Sequence, residues 1–215
     1  MLHRADHIIS FEFPRDHGRH QQFGTEWWYV SGRLSSEDGT DWAYHFTIFR
    51  RAFEKWFHLA LVGLAISLKS IRNVGFFKRA FAKMLENQKL QRIQVDGYVG
   101  HLSITNISEK DFTFFERGGT SIFNVAGASD DQLKVWVKGW KLWGENGLIH
   151  LTASRENYAV DLVLTPEKEP ILNGEQGLSV KGPEPGAASY HYSLASLRTT
   201  GTLEWQGNKH QVAGS

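Results

Sequence analysis

Residues 42–49 divide with a period of two, Trp42, Tyr44, Phe46 and Ile48 falling on one face and Ala43, His45, Thr47 and Phe49 on the other. That period fits an extended strand with one face turned to a core. The same rhythm returns at 28–34, 97–105, 112–117, 133–143, 148–153, 158–165, 190–194 and 201–205. Turn chemistry marks the breaks: Gly39 follows Glu37 and Asp38, Gly147 follows Glu145 and Asn146, and Gly207 follows Gln206. Many short strands joined by hairpins predict an all-β chain, folded as an antiparallel barrel or a sandwich.

Two stretches leave the rhythm. Between 58 and 92 the turn residues thin out, and Phe77, Phe81, Met84, Leu85 and Gln88 recur at helical spacing among Lys78, Arg79, Lys83 and Lys89. A basic helical insertion is expected there, either packed on the barrel with its lysines in water or laid on an anionic membrane surface. Between 165 and 189, Pro166, Pro170, Pro183 and Pro185 alternate with Gly174, Gly177, Gly182 and Gly186, which predicts a long but ordered connection.

The 215 residues carry a net charge of only +1, so no global field recruits nucleic acid, and no nucleic-acid partner is expected. Eight tryptophans point to an aromatic interior, and the lack of cysteine excludes disulfides and thiolate chemistry. Residues 1–10 show no apolar core of an export signal, and the apolar run 59–68 is about half of a membrane-spanning helix. These features leave the cellular address open.

The chemistry-bearing residues gather near the start of the chain. Asp16, His17, His20 and Glu26 run into Trp27, Trp28 and Tyr29. Carboxyl or imidazolium acids beside aromatic faces suit protonation of an alkene, since the rings stabilise the carbocation that follows. The competing structural reading makes the aromatics plain core and pairs Glu26 with Arg50 or Arg51. His45 and His191, each flanked by aromatics on strands, read as hydrogen-bonded barrel histidines more than as catalysts. No metal site is expected, because His17 and His20 meet at one ion only on a helix or tight turn, which Pro14 and Gly18 disfavour. Ser31 lacks the Gly-x-Ser-x-Gly elbow, and no phosphate-binding glycine loop occurs.

Several of these residues match a known family. Asp16, His17, Gly18, His20 and Phe23, the run TEWWY at 25–29, Gly32, Leu34 and FTIFR at 46–50 resemble the opening of the carotenoid 1,2-hydratase family, also called hydroxyneurosporene synthase or AttH-like. Further matches follow in family order: GHLSIT at 100–105, FER at 115–117, LVLTP at 162–166 and GLSVKGPEPGAASYHYS at 177–193. The resemblance implies a lipocalin-like, calycin-type barrel and water addition to a double bond of an apolar isoprenoid or lipid-like ligand, with no cofactor. Glu26, Asp16, His17 and His20 then become the catalytic candidates. Trp27, Trp28, Tyr29, His45, Arg50, Tyr190, His191 and Tyr192 become the ligand contacts. The family pattern continues beyond Gly214 into another strand and a second barrel, so residues 1–215 are expected to form a single domain corresponding to an N-terminal half, with a second lipocalin-like domain as its partner. Binding without catalysis, or a purely structural role, are the alternatives.

Overall fold

In the computed structural model, residues 2–53, 95–184 and 186–215 are described. Four strands, β1 (Thr25–Ser36), β2 (Asp41–Phe53), β3 (Val95–Asn106) and β4 (Asp111–Thr120), form one antiparallel meander. A second meander holds β5 (Ala126–Ala128), β6 (Lys134–Val137), β7 (Trp140–Glu145), β8 (Leu148–Arg155) and β9 (Tyr158–Pro166). Four short strands follow, β10 (Ile171–Leu172), β11 (Leu178–Val180), β12 (Ala188–Tyr190) and β13 (Tyr192–Ser193), before the final hairpin of β14 (Leu197–Trp205) and β15 (Asn208–Gly214).

The hairpin joins the meanders, giving one sheet in the order β4-β3-β2-β1-β15-β14-β9-β8-β7-β6-β5. The sheet curls until its edges nearly meet, so the architecture is the near-closed lipocalin-like barrel that the resemblance implies. At the seam a Cβ on Gly119 of β4 would stand 3.0 Å from the Ala126 Cβ of β5. Arg117 of β4 reaches across it, donating to the carbonyl of Lys138 and, at 2.7 Å, to that of Ser154, with its guanidinium 4.8 Å from the Trp140 ring centre.

Alternation decides what fills the barrel. Trp42, Phe46 and Ile48 of β2 meet Leu102 and Ile104 of β3 and Trp140 of β7 in a fully buried core. The inward parity of β2 continues past Ile48 and carries a charge, Arg50, into the interior.

Three expectations are corrected. The strand expected at 133–143 is two strands, because Lys138 (φ 45°) and Gly139 (φ 87°) make a left-handed hairpin turn between them. The strand expected at 190–194 lies outside the barrel sheet: β12 pairs with β11 and β13 with β10, folding the proline-rich connection into an ordered flap. Strand β15 was not anticipated beyond the turn at Gln206 and Gly207, whose φ values of 52° and 85° close it. The helical insertion expected around 58–92 lies outside the described residues. No helix among the described residues is long and apolar enough to cross a membrane.

The barrel wall tolerates no side chain at Gly201, where β14 crosses closest to β9: a Cβ there would stand 2.1 Å from the Asp161 carbonyl oxygen, at a φ of 152°. Gly201→Ala is expected to lower stability by about 1–3 kcal/mol, read from the urea midpoint. An unchanged midpoint would show that the strands can separate without cost.

Candidate functional site

The barrel end nearest Arg50 is closed by the N-terminal strap, residues 2–24. Arg50 is fully buried, and its position opposite Glu26 on β1 follows from the strand register. Its Nη1 donates to Glu26 Oε2 at 2.7 Å and to the strap carbonyls of Phe23 and His20 at 3.0 and 3.3 Å. Nη2 donates to Asp96 Oδ1 at 3.0 Å, and Nε, poorly aligned for a hydrogen bond, lies 2.9 Å from Asp96 Oδ2. Arg19 of the strap also donates to Asp96, at 2.9 Å, and to Asp130. One guanidinium thus ties strap, β1 and β3 together.

The network extends through Glu26, whose Oε1 accepts both the His20 backbone N–H, at 2.8 Å, and a contact from His20 Nδ1 at 2.9 Å. The far side of the same ring, Nε2, is 3.2 Å from Asp16 Oδ1. His20 therefore sits between two carboxylates, and its hydrogen bond to Glu26 holds the imidazole pKa above its ordinary value, against the opposing effect of burial. Burial opposes ionisation of Asp16, yet the Glu12 N–H and the His20 ring hold its carboxyl below the usual range.

His17 behaves differently. It occupies the 3-10 turn Arg15–His17, and its ring meets Tyr192 of the flap and not His20. There Nδ1 lies 2.7 Å from the hydroxyl of Tyr192. Phe13 packs on both rings, at centroid distances of 4.6 Å to His17 and 4.8 Å to Tyr192. Burial pushes the His17 pKa down, only partly opposed by Asp16. Burial, with the charges of Asp16 and Glu26, pushes the Tyr192 hydroxyl well up.

Strap, flap and β1 enclose a cavity of about 840 Å³. Its apolar lining includes Trp28, Val30, Leu133, Leu142, Ile149 and Leu197. Asp16, His17, His20 and Glu26 all line it, as do Tyr190, His191 and Tyr192. The three consecutive aromatics do not form one wall. Trp28 turns inward onto the core, its Nε1 donating to the His17 carbonyl at 3.0 Å, whereas Trp27 and Tyr29 turn outward toward His191. All three still line the cavity, Trp28 from within and Trp27 and Tyr29 on the side where His191 of the flap leans on them.

Two expected ligand contacts stand apart from the cavity. Arg50 is sealed beneath Glu26, its donors turned to protein acceptors. His45 lies on the outer face of β2, 2.6 Å from the Thr47 hydroxyl, with its ring stacked on Tyr29. Neither lines the cavity. Asp96 and Arg19 are essential to the network but went unnoticed in the sequence. Asp96 had a signal, since it shares the inward parity of Tyr98 and Leu102. Among the described residues no cluster of His, Asp or Glu is arranged to hold a metal ion.

A family model described as AttH-like matches residues 4–60 and 69–215. A crystal structure from Nitrosomonas europaea assigned as an AttH is 24% identical, with a TM-score of 0.74 over 99% of this chain and 55% of that one. Kievitone hydratase from Nectria haematococca is 13% identical, with a TM-score of 0.58 over 99% of this chain and 50% of that one. The likeness to both is one of fold, and the chain spans about half the length of each. No curated protein matches the sequence.

Arg50→Met would remove the cation between Glu26 and Asp96, leaving His20 to the one and Arg19 to the other, and is expected to cost about 3–5 kcal/mol in urea denaturation. A second measurement concerns His20, whose raised pKa means that its contribution is complete below the unfolded value of about 6.5 and is lost as pH rises through the folded value. The stability gap between wild type and His20→Gln should therefore be widest at about pH 6 and shrink toward pH 9. A gap independent of pH would mean that the ring is not held as a cation by Asp16 and Glu26.

Proposed function

The chain belongs to the AttH-like family, and from that premise we propose that it holds an elongated apolar molecule, isoprenoid- or lipid-like, and supports acid-assisted addition of water to a carbon–carbon double bond. The observation that carries this reading is the union, in one 840 Å³ cavity, of an apolar lining with four titratable side chains on one side. A volume of that size suits a small-molecule site. The chemistry needs an acid near an aromatic face, and the His17, His20, Asp16 and Glu26 group borders Trp28. A hydratase among proteins of the same fold is in keeping with this class of reaction.

The finer reading is a carotenoid-type polyene, drawn from the motif resemblance at 16–34 and 177–193. A second lipocalin-like domain is the proposed partner, drawn from the same resemblance. Binding without turnover is the second reading. It is favoured by the state of Glu26 and Asp16, whose oxygens are engaged by Arg50, His20, Arg15 and the Glu12 N–H.

Tryptophan emission should be quenched saturably by neurosporene delivered in detergent micelles, and Trp28→Ala should weaken that binding about tenfold or more, since losing one buried indole costs more than 1.4 kcal/mol. A flat titration would sink the cavity reading. With binding established, a product heavier by one water supports the hydratase reading, and its absence across a set of acyclic polyenes supports binding alone.

A further inference from the structure

Of the four catalytic candidates at the cavity, Asp16, His17, His20 and Glu26, three have their polar atoms committed elsewhere. Glu26 gives Oε1 to the His20 backbone and ring and Oε2 to Arg50. Asp16 gives Oδ2 to the Glu12 N–H and Oδ1 to Arg15 and His20. His20 has a carboxylate on each ring nitrogen, so a proton leaving it would break an ion pair. Of these four, His17 alone has a nitrogen to spare; His191, which also lines the cavity, has an unpartnered Nε2, but that atom is sealed from solvent. In His17, Nδ1 is taken by Tyr192, while Nε2 has no partner among the described residues, is not sealed from solvent, and belongs to a ring that lines the cavity.

We infer that His17 is the catalytic residue that moves the proton at this cavity, and that Tyr192 is the positioning residue that fixes its tautomer. The inference rests on the hydratase reading above. The Tyr192 hydroxyl lies 2.7 Å from His17 Nδ1 and donates over a longer 3.4 Å to the Asp16 carbonyl oxygen. With the phenol proton directed to that carbonyl, Nδ1–H donates to the phenol oxygen, and the Nε2 lone pair is left facing the cavity. Tyr192 keeps its proton, because burial and the neighbouring carboxylates oppose its loss. The arrangement is that of a base oriented by a third group, reached from a residue 175 positions away in the chain.

The step balances with this one ring. The neutral ring first takes a proton from solvent at Nε2, and the imidazolium so formed gives that proton to one carbon of the double bond, whose π pair forms the new C–H bond. A lone pair of water then bonds the electron-deficient neighbouring carbon. The surplus proton on the added oxygen passes to Nε2, and the imidazolium is restored. No other reactant is consumed.

Nitrogen-15 NMR of the histidine-labelled full chain at pH 7.5 tests the arrangement without a substrate, with His17→Gln assigning the signal. The expected result is a neutral His17 carrying its proton on Nδ1, and loss of that preference in Tyr192→Phe, which a merely structural tyrosine would not cause. A proton on Nε2 in wild type, or an unchanged tautomer in Tyr192→Phe, overturns the inference. Diethyl pyrocarbonate, which acylates accessible neutral imidazole, should modify His17 severalfold faster than His20, whose two ring nitrogens are both engaged by carboxylates. Equal rates overturn the assignment. Farnesol should slow modification of His17; without such protection the cavity reading fails, and the proton-transfer role with it, whereas the NMR result reports on the dyad alone.

Discussion

A guanidinium with no exposed surface governs how this molecule is put together. Burying Arg50 costs several kcal/mol of hydration, and that cost is offset only because Glu26 and Asp96 flank it and two strap carbonyls complete its shell. Replacing Arg50, Glu26 and Asp96 together by packed apolar side chains would serve the barrel's stability about as well. It would not hold the strap. Both Arg50 bonds to carbonyl oxygens fall on the strap, at His20 and Phe23, so the charge is what fixes the cover of the cavity relative to β1 and β3. Arg19 repeats the connection from the strap side by binding Asp96 and Asp130. Where Gly18 passes the loop at Ser129 and Asp130, the backbones are close enough that a Cβ would stand 2.8 Å from the Asp130 carbonyl carbon, so the strap has little room to slide.

From that anchor the charges alternate outward through Glu26, His20 and Asp16. Each member's polar atoms are committed to its neighbours, which ties the chain of charges together and also removes each from chemistry. A carboxylate that accepts from a permanent cation is a poor proton donor. The same order that makes the network stable leaves His17, which stands one turn aside against Phe13 and Tyr192, as the group with an uncommitted nitrogen.

Much of this was legible from period and parity. Extending the alternation of Trp42 to Ile48 by one step puts Arg50 inside the barrel. The matching parity on β1 points Glu26 and Trp28 inward and Trp27 and Tyr29 outward, so the pairing of Glu26 with Arg50 was available as a structural alternative from the start. Local signals failed where tertiary contacts decide. Lys138 in a left-handed turn has no special chemistry to announce it, and only the strand pairing on either side forces the bend. The weak alternation of 208–214 becomes a strand because β14 and β1 supply partners. The run 188–193 alternates well yet pairs with 171–180, whose prolines and glycines hide two short strands. The contact between His17 and Tyr192 depends on that flap and leaves no trace in spacing.

The flap resolves the oddity of three adjacent aromatics. On a strand, consecutive residues face opposite sides of a wall and do not ordinarily border one space. Trp28 turns onto the core and donates to the His17 carbonyl of the strap, while Trp27 and Tyr29 turn outward. The flap lies on that outer side, with His191 leaning on both outer rings, so the cavity meets β1 from within and from without. Strap and flap thus act as two walls on one strand, and the three rings belong to a single cavity because both walls are in place.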